Sequence, residues 1–402
     1  INTSLRKVRQ DVVPGRIYDR NGIQLAGSNK AGDRLYHQDE LTRRSLVHAL
    51  GMKDGTVKNG VEVFLSYLLY AYDASYFTRL SSAFTGSLRY GYDLRLSLSS
   101  GLSRLIAEQF PEGKSGAVVV MNYRTGELLS LNSFPNFDPL KPQGVLGDPR
   151  KPYLNNATQW RSAPGSTFKV ITLAAALQNI PDVMNRTFTC EGQLPVGDIV
   201  ITDALNAKHG ELNLQKALSV SCNITFAKLA LELGDEQLRK TARAFGLDDH
   251  VLFSDLVVED SSYPSSNRTP RELAWTGPGQ SALHVTPLQM CMAAAAIAND
   301  GVMMEPKLLL QAVDSQRTGK AQIAPVIYRA PLSADEAGTI KKAMRQAVQS
   351  GTATRAAVQG LNIAGKTGSA QIDGQELTNA RFIGFIDDPT LPYAVCVVVN
   401  NA

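Results

Sequence analysis

Strand-like sequence occurs at two places far apart in this chain, and what lies between them reads mostly as helix. GAVVVMN and ELLSLNS, joined by a turn from Tyr123 to Gly126, are two strands. Three more come near the other end, roughly Ile363 to Ile372, Ala380 to Ile386 and Tyr393 to Asn400. The helical runs between are Thr167 to Asn179, Leu214 to Val220, Ile224 to Leu233, Asp235 to Phe245, Pro287 to Asn299 and Ser333 to Ser350. Strands need partners, so the two groups are expected to pair across that distance. The expected fold class is α+β: one antiparallel sheet assembled from distant segments and flanked by helices.

Residues 1–95 have a different texture. They mix short polar strand-like pieces with two helical runs, Asp39 to Leu50 and Val61 to Ala71, and are rich in Gly and Arg. We read 1–95 as a small N-terminal domain and 96–402 as the second, since 402 residues leave room for two or three. Hydrophobic residues at 44% and charged residues at 19% describe a globular chain. A net charge of +4 argues against an electrostatic nucleic-acid binder and is compatible with anionic cell-envelope polymers. The most apolar run, Phe64 to Tyr72, is too short to span a membrane.

Three short motifs carry candidate chemistry: Ser166-Thr167-Phe168-Lys169, Ser221-Cys222-Asn223 and Lys366-Thr367-Gly368-Ser369. Each is common alone; their order and context point to acyl transfer by a serine with a lysine base. Pro164 and Gly165 break the chain, and an apolar helical run follows. A helix starting at Ser166 puts Lys169 on the same face one turn on. It also puts the hydroxyl at a helix N-terminus, which favours developing negative charge. A serine hydroxyl needs a neighbouring base. A lysine serves only if burial or a second cation lowers its pKa; Lys366 is a candidate for that cation. Ser221 is placed to relay the proton to the leaving group, and Asn223 to hold Lys169 and a substrate amide. The backbone N–H groups of Ser166 and Ser369 are candidate oxyanion donors.

Other patterns compete. Gly360 to Thr367 matches a nucleotide-binding P-loop letter for letter. A P-loop follows a buried strand and opens a helix, whereas here a helix-like stretch precedes and GSAQID follows as strand and turn. The histidines, His37, His48, His209, His250 and His284, show no metal-ligand spacing, and no Gly-x-Ser-x-Gly elbow surrounds Ser166. Cys190, Cys222, Cys291 and Cys396 form no Cys-x-x-Cys motif. Cys291 and Cys396 read as buried small hydrophobes. Whether Cys190 and Cys222 are bonded stays open. No metal and no cofactor is expected.

The motif set is a recognised signature of β-lactamases and penicillin-binding proteins, and here the chain resembles the class B penicillin-binding proteins. GAVVVMNYRTGELLSLNSFPNFDP resembles the first hairpin of their transpeptidase domain. SVSCNITFAKLALELG resembles the second-motif helix, and GQSALHVTPLQMCMAAAAIANDG the helix before the third motif. PGRIYDRNGIQLA resembles the entry to their N-terminal pedestal, with Pro14 where the pattern RGxIxDRNGxxLA has arginine. LRLSLSSGLSRLI departs from the usual TxDxxLQ. The resemblance covers roughly 14–52 and 90–400.

It implies the penicillin-binding/serine β-lactamase-like fold on a pedestal. It implies peptidoglycan D,D-transpeptidase activity: an acyl-enzyme at Ser166, with Lys169, Ser221, Asn223 and Lys366 catalytic and Thr367, Gly368 and Ser369 holding substrate. The partners it implies are peptidoglycan stem peptides, β-lactam antibiotics and a membrane glycosyltransferase acting in trans. It also implies an extracytoplasmic position at the cell membrane, with an N-terminal anchor upstream of Ile1. A D,D-carboxypeptidase, a serine β-lactamase and a β-lactam sensor share the motifs and are the alternatives.

Overall fold

The computed structural model describes residues 12–72, 89–250, 252–265, 268–314, 320–371 and 378–401. Its N-terminal part holds β1 (Ile17–Tyr18), β2 (Gln24–Ser28), β3 (Arg34–Tyr36), α1 (Glu40–Leu50), β4 (Asp93–Leu96) and α2 (Ser100–Gln109). Asp39 caps α1, its carboxylate accepting from the Thr42 N–H at 2.8 Å. The helix expected over 61–71 is instead two short turns, Val61–Phe64 and Ser66–Leu69, parted at Leu65. Neither has a side-chain cap, and each is too short to propagate. The Asp-Arg-Asn-Gly string earns its place at Asp19. One oxygen accepts from the N–H groups of Asn21 and Ile23, and the other from the Ser100 hydroxyl at 2.7 Å. That buried carboxylate ties the β1–β2 turn to the start of α2, a helix for which the sequence had given no separate signal.

The second part begins with β5 (Ser115–Asn122), β6 (Leu128–Phe134) and α3 (Lys169–Asn179). Four short strands follow: β7 (Thr187–Cys190), β8 (Gln193–Val196), β9 (Ile199–Thr202) and β10 (Gly210–Asn213). Then come α4 (Leu214–Ser219), α5 (Asn223–Ala244), α6 (Pro270–Thr276), α7 (Pro287–Ala298), β11 (Leu309–Val313), β12 (Lys320–Gln322) and α8 (Ala334–Ser350). The last elements are β13 (Ile363–Gln371), β14 (Thr378–Ile386) and β15 (Tyr393–Asn400); Ile372, expected to end β13, lies outside the described residues. The two helices expected on either side of Gly234 are the halves of α5, where Gly234 takes φ 73°, a conformation that glycine enters without strain.

The long-range pairing is as expected. β13, β14, β15, β5 and β6 lie in that order in one antiparallel sheet, with Tyr393–Asn400 set against Ser115–Asn122 along its centre. Ala394, Cys396 and Val398 alternate inward, and β15 and β14 pack against α7. Every residue of α7 is buried, as a helix apolar on all sides requires, and its one polar side chain, Gln289, donates from Nε2 to Phe245 O at 2.6 Å. α8 starts with a capping box between Ser333 and Glu336 and packs on β13.

The N-terminal sheet does not respect a division at residue 95. Its order is β12, β11, β4, β1, β2, β3, so two of its six strands come from Leu309–Gln322, and β4 itself spans the division.

Candidate active site

Ser166 lies in a 3₁₀ turn, Gly165–Phe168, that leads directly into α3 at Lys169. This differs from the α-helical start expected and improves the alignment, because side chains three apart eclipse in a 3₁₀ turn. Lys169 Nζ therefore sits 3.1 Å from Ser166 Oγ. Gly165 holds φ 57° as the chain enters the turn, and its N–H donates to Gly279 O at 2.9 Å.

The other two motifs close on the same point. Lys169 Nζ is 2.6 Å from Ser221 O, 3.1 Å from Ser221 Oγ and 2.7 Å from Asn223 Oδ1. Lys366, midway along β13, places its Nζ 2.9 Å from Ser221 Oγ and 2.8 Å from Thr367 O. Ser221 thus has its hydroxyl between two amines, held there by a left-handed backbone at φ 63° that is uncommon for a non-glycine residue. The Asn223 amide is fixed in turn, donating to Thr202 O at 3.0 Å, while its backbone N–H donates to Asp203 Oδ1. The P-loop reading fails here: Lys366 is a strand residue facing a serine.

Both amines are wholly buried. Burial brings Lys169 down from 10.5 to about 7, with Asp203 and Cys222 pulling weakly the other way. Burial also lowers Lys366 well below its ordinary value, and repulsion from Lys169 adds to this. Desolvation, more than a second cation, is therefore the main cause at Lys169. A neutral Lys169 has two N–H bonds and a lone pair. The carbonyl oxygens of Ser221 and Asn223 take the two N–H bonds, which leaves the lone pair for the Ser166 hydroxyl.

The half-buried Ser166 opens into a cavity of about 710 Å³. β13 forms one wall. A Cβ on Gly368 would lie 3.0 Å from Thr167 Cγ2 and 3.1 Å from Pro164 O, so glycine is what lets this strand lie against the serine turn. Thr367 Oγ1 is 2.9 Å from Thr352 Oγ1, and Ser369 O is 3.4 Å from Gln280 Nε2. All eight residues singled out in the sequence meet here. Asp203, Thr352, Trp275 and Gln280 also line the cavity and belong to no motif; only the fold brings them in.

Cys190 and Cys222 are both free, and both sulfurs approach Asp203 Oδ2, at 3.0 and 3.3 Å. Cys222 faces away from the cavity and caps α5. Cys291 and Cys396 are buried among apolar groups, as expected.

Residues 116–402 match the family model of the penicillin-binding protein transpeptidase domain. The chain is 33% identical to stage V sporulation protein D of Bacillus subtilis over 77% of its own length and 50% of that protein's. It is 31% identical to the peptidoglycan D,D-transpeptidase PbpA of Mycolicibacterium smegmatis, covering 80% of itself and 70% of the relative. The chain thus spans half the length of the first relative. Among solved structures, the imipenem acyl-enzyme of Mycobacterium tuberculosis penicillin-binding protein A superposes with a TM-score of 0.86 at 26% identity, over 98% of this chain and 94% of that one. The D,D-transpeptidase domain of a peptidoglycan glycosyltransferase from Eggerthella lenta gives 0.85 at 27% identity, over 98% and 94%. Fold, site and relatives agree: the chain belongs to the penicillin-binding protein transpeptidase family, among its class B members.

Proposed function

We propose that this chain is a peptidoglycan D,D-transpeptidase acting through an acyl-enzyme on Ser166, with neutral Lys169 as general base. The observation that carries the reading is the buried Lys169 amine, depressed to about 7 and 3.1 Å from Ser166 Oγ. In the first step the hydroxyl proton passes to Lys169 Nζ as Oγ bonds to the carbonyl carbon of the penultimate D-alanine. The backbone N–H groups of Ser166 and Ser369 take the oxyanion. The C–N bond then breaks. The leaving D-alanine amine receives a proton from Lys169 through Ser221 Oγ, which lies within hydrogen-bond reach of both Lys169 and Lys366. The amine of a second stem peptide attacks the ester, loses its proton back along the same route, and releases Ser166 with a cross-link formed.

Asn223 orients Lys169 and the substrate amide; Thr367, Gly368 and Ser369 line the strand along which the donor peptide lies. A β-lactam offers the same amide carbon, acylates Ser166 and keeps its amine tethered. The reading carries an extracytoplasmic site at the cell membrane and a glycan-polymerising glycosyltransferase acting in trans, both consequences of the substrate class.

The test is incubation with a fluorescent penicillin, then intact mass and peptide mapping. One adduct per chain, on Ser166 and absent from Ser166→Ala, is expected. Labelling that survives Ser166→Ala overturns the nucleophile. With a D-alanyl-D-alanine peptide and an amine acceptor, the expected product is the transpeptidated peptide. Hydrolysis alone makes the chain a carboxypeptidase, and an adduct without peptide turnover makes it a sensor.

A further inference from the structure

We propose that a second, cationic cavity beside the catalytic one binds the upstream part of the donor peptide and selects a residue there that carries a free carboxylate. This cavity measures about 820 Å³ and meets the catalytic cavity at Gln280 and Ser281, which line both. Which part of the donor reaches it follows from the proton relay. Ser221 and Lys366 serve the leaving amine, so the leaving residue lies at their end of the catalytic cavity. The acyl part runs the other way, past Ser369 and toward Gln280, whose Nε2 is 3.4 Å from Ser369 O. At Gln280 that path opens into the second cavity.

The charge in this second cavity is one-sided. Arg150, Lys151 and Arg161 line it, and no aspartate or glutamate does so among the described residues. Arg150 is paired with Asp148. Lys151 and Arg161 are exposed, and neither has a carboxylate partner among the described residues; Arg161 Nη1 donates instead to the backbone oxygen of Asp260 at 2.9 Å. A further cation stands behind the wall. Arg381, on β14, is only 5% exposed. Its Nη2 donates to Ser162 Oγ at 2.8 Å, and its Nη1 has no partner among the described residues. Ser162 lines the cavity, as does Asn379, two residues before Arg381 and on the same face of the strand.

A guanidinium stays protonated, and a buried charge without a counter-charge is costly. An anion in the cavity offsets that cost. The Ser162 oxygen accepts from Arg381, which leaves its own proton free to donate to a carboxylate. Lys151 and Arg161 supply the pairing charge from the exposed side. Binding energy gained at this distance from the scissile bond still counts toward the rate of acylation. The subsite's part in cross-linking rests on the proposed transpeptidase reading; its preference for a charged acyl arm does not.

The test uses penicillins made by coupling 6-aminopenicillanic acid to short peptide arms, since a penicillin's side chain stands on the acyl side of the reacting bond, as the upstream residues do. Each arm ends in glutamate or in glutamine, and the arms vary in length. The intact mass of the full chain, followed in time, gives the second-order constant for acylation. At one arm length or more the glutamate compound should acylate about tenfold faster than its glutamine twin. The advantage should shrink as salt is added. The double variant Lys151→Gln/Arg161→Gln should bring the ratio close to one, and Lys151→Arg/Arg161→Lys should keep it. Equal constants at every arm length overturn the proposal, as does a preference that survives in Lys151→Gln/Arg161→Gln. Arg381→Met, checked for folding by circular dichroism, should also lose the preference; a folded variant that keeps it overturns the part given to Arg381. A glutamate preference in acylation, with no transpeptidated product from a D-alanyl-D-alanine peptide, upholds the subsite and overturns the transpeptidase reading alone.

Discussion

Acylation of Ser166 should follow the titration of a single buried amine, so its pH profile tests the mechanism without altering the protein. The perturbation is pH between 5 and 10, with a β-lactam stable over that range. Burial places Lys169 at about 7 against an ordinary 10.5. At pH 7 an ordinary lysine is neutral in about one molecule in three thousand, whereas Lys169 is neutral in about half. Burial thus raises the fraction of competent base by about a thousandfold at neutral pH. The sign follows: the neutral form reacts, so the second-order acylation constant rises about tenfold per pH unit below 7 and levels off above it. Stopped-flow quenching of protein fluorescence by the antibiotic gives that constant directly. Lys169→Arg is the control, since a guanidinium stays protonated throughout the range. It should acylate at least about a hundredfold more slowly above pH 7. A wild-type profile that is flat from pH 5 to 8, or one whose midpoint lies near 10, refutes the neutral-lysine base.

Lys169→Met should abolish acylation yet stabilise the fold. The folded value lies below the unfolded one, so the unfolded chain binds more protons between about pH 7 and 10.5, and stability rises with pH across that window. Below pH 7 the buried amine costs about 5 kcal/mol, so the variant's melting temperature should exceed the wild type's most clearly at pH 6; an unchanged melting temperature there contradicts this. Asn223→Ala removes the bond from Lys169 and the one to Thr202 O. It should slow acylation about 10- to 100-fold with an unchanged circular dichroism spectrum, and wild-type kinetics would strip Asn223 of its orienting role. We further infer that residues 1–95 dock or space and do no chemistry. A chain beginning at Leu96 that folds by circular dichroism should still be labelled by fluorescent penicillin; a folded but inert one places part of the chemistry upstream.

The site was legible in the sequence where the backbone itself does the placing. Ser166 and Lys169 share one turn, Ser221 and Asn223 flank one cap, and Lys366 to Ser369 follow along one strand. The central sheet was legible because alternating apolar residues at both ends had no other partners. What escaped notice depends on meetings between distant segments. Leu309–Val313 looks like any short apolar strand, and nothing local says that it pairs with Asp93–Leu96. Asp203 is one carboxylate among many until the fold sets it beneath Asn223 and between two thiols. The 3₁₀ form of the serine turn is a matter of tertiary context, with Gly165 held by Gly279 and β13 pressed alongside.

The order of strands in the central sheet has a consequence for how the molecule is made. β15 lies between β14 and β5, so the earliest strands of the sheet have no central partner until the last described segment has been synthesised. Lys366 and the wall formed by Gly368 and Ser369 also come late, about two hundred residues after Ser166. During synthesis, β5 and β6 form a hairpin with an unpaired edge, and such edges invite aggregation. Closing so long a loop makes formation of the sheet a slow step. Assembly of the reactive centre therefore waits on the late strands: a nascent chain still lacking β13–β15 carries the serine without Lys366 or the wall that completes its site.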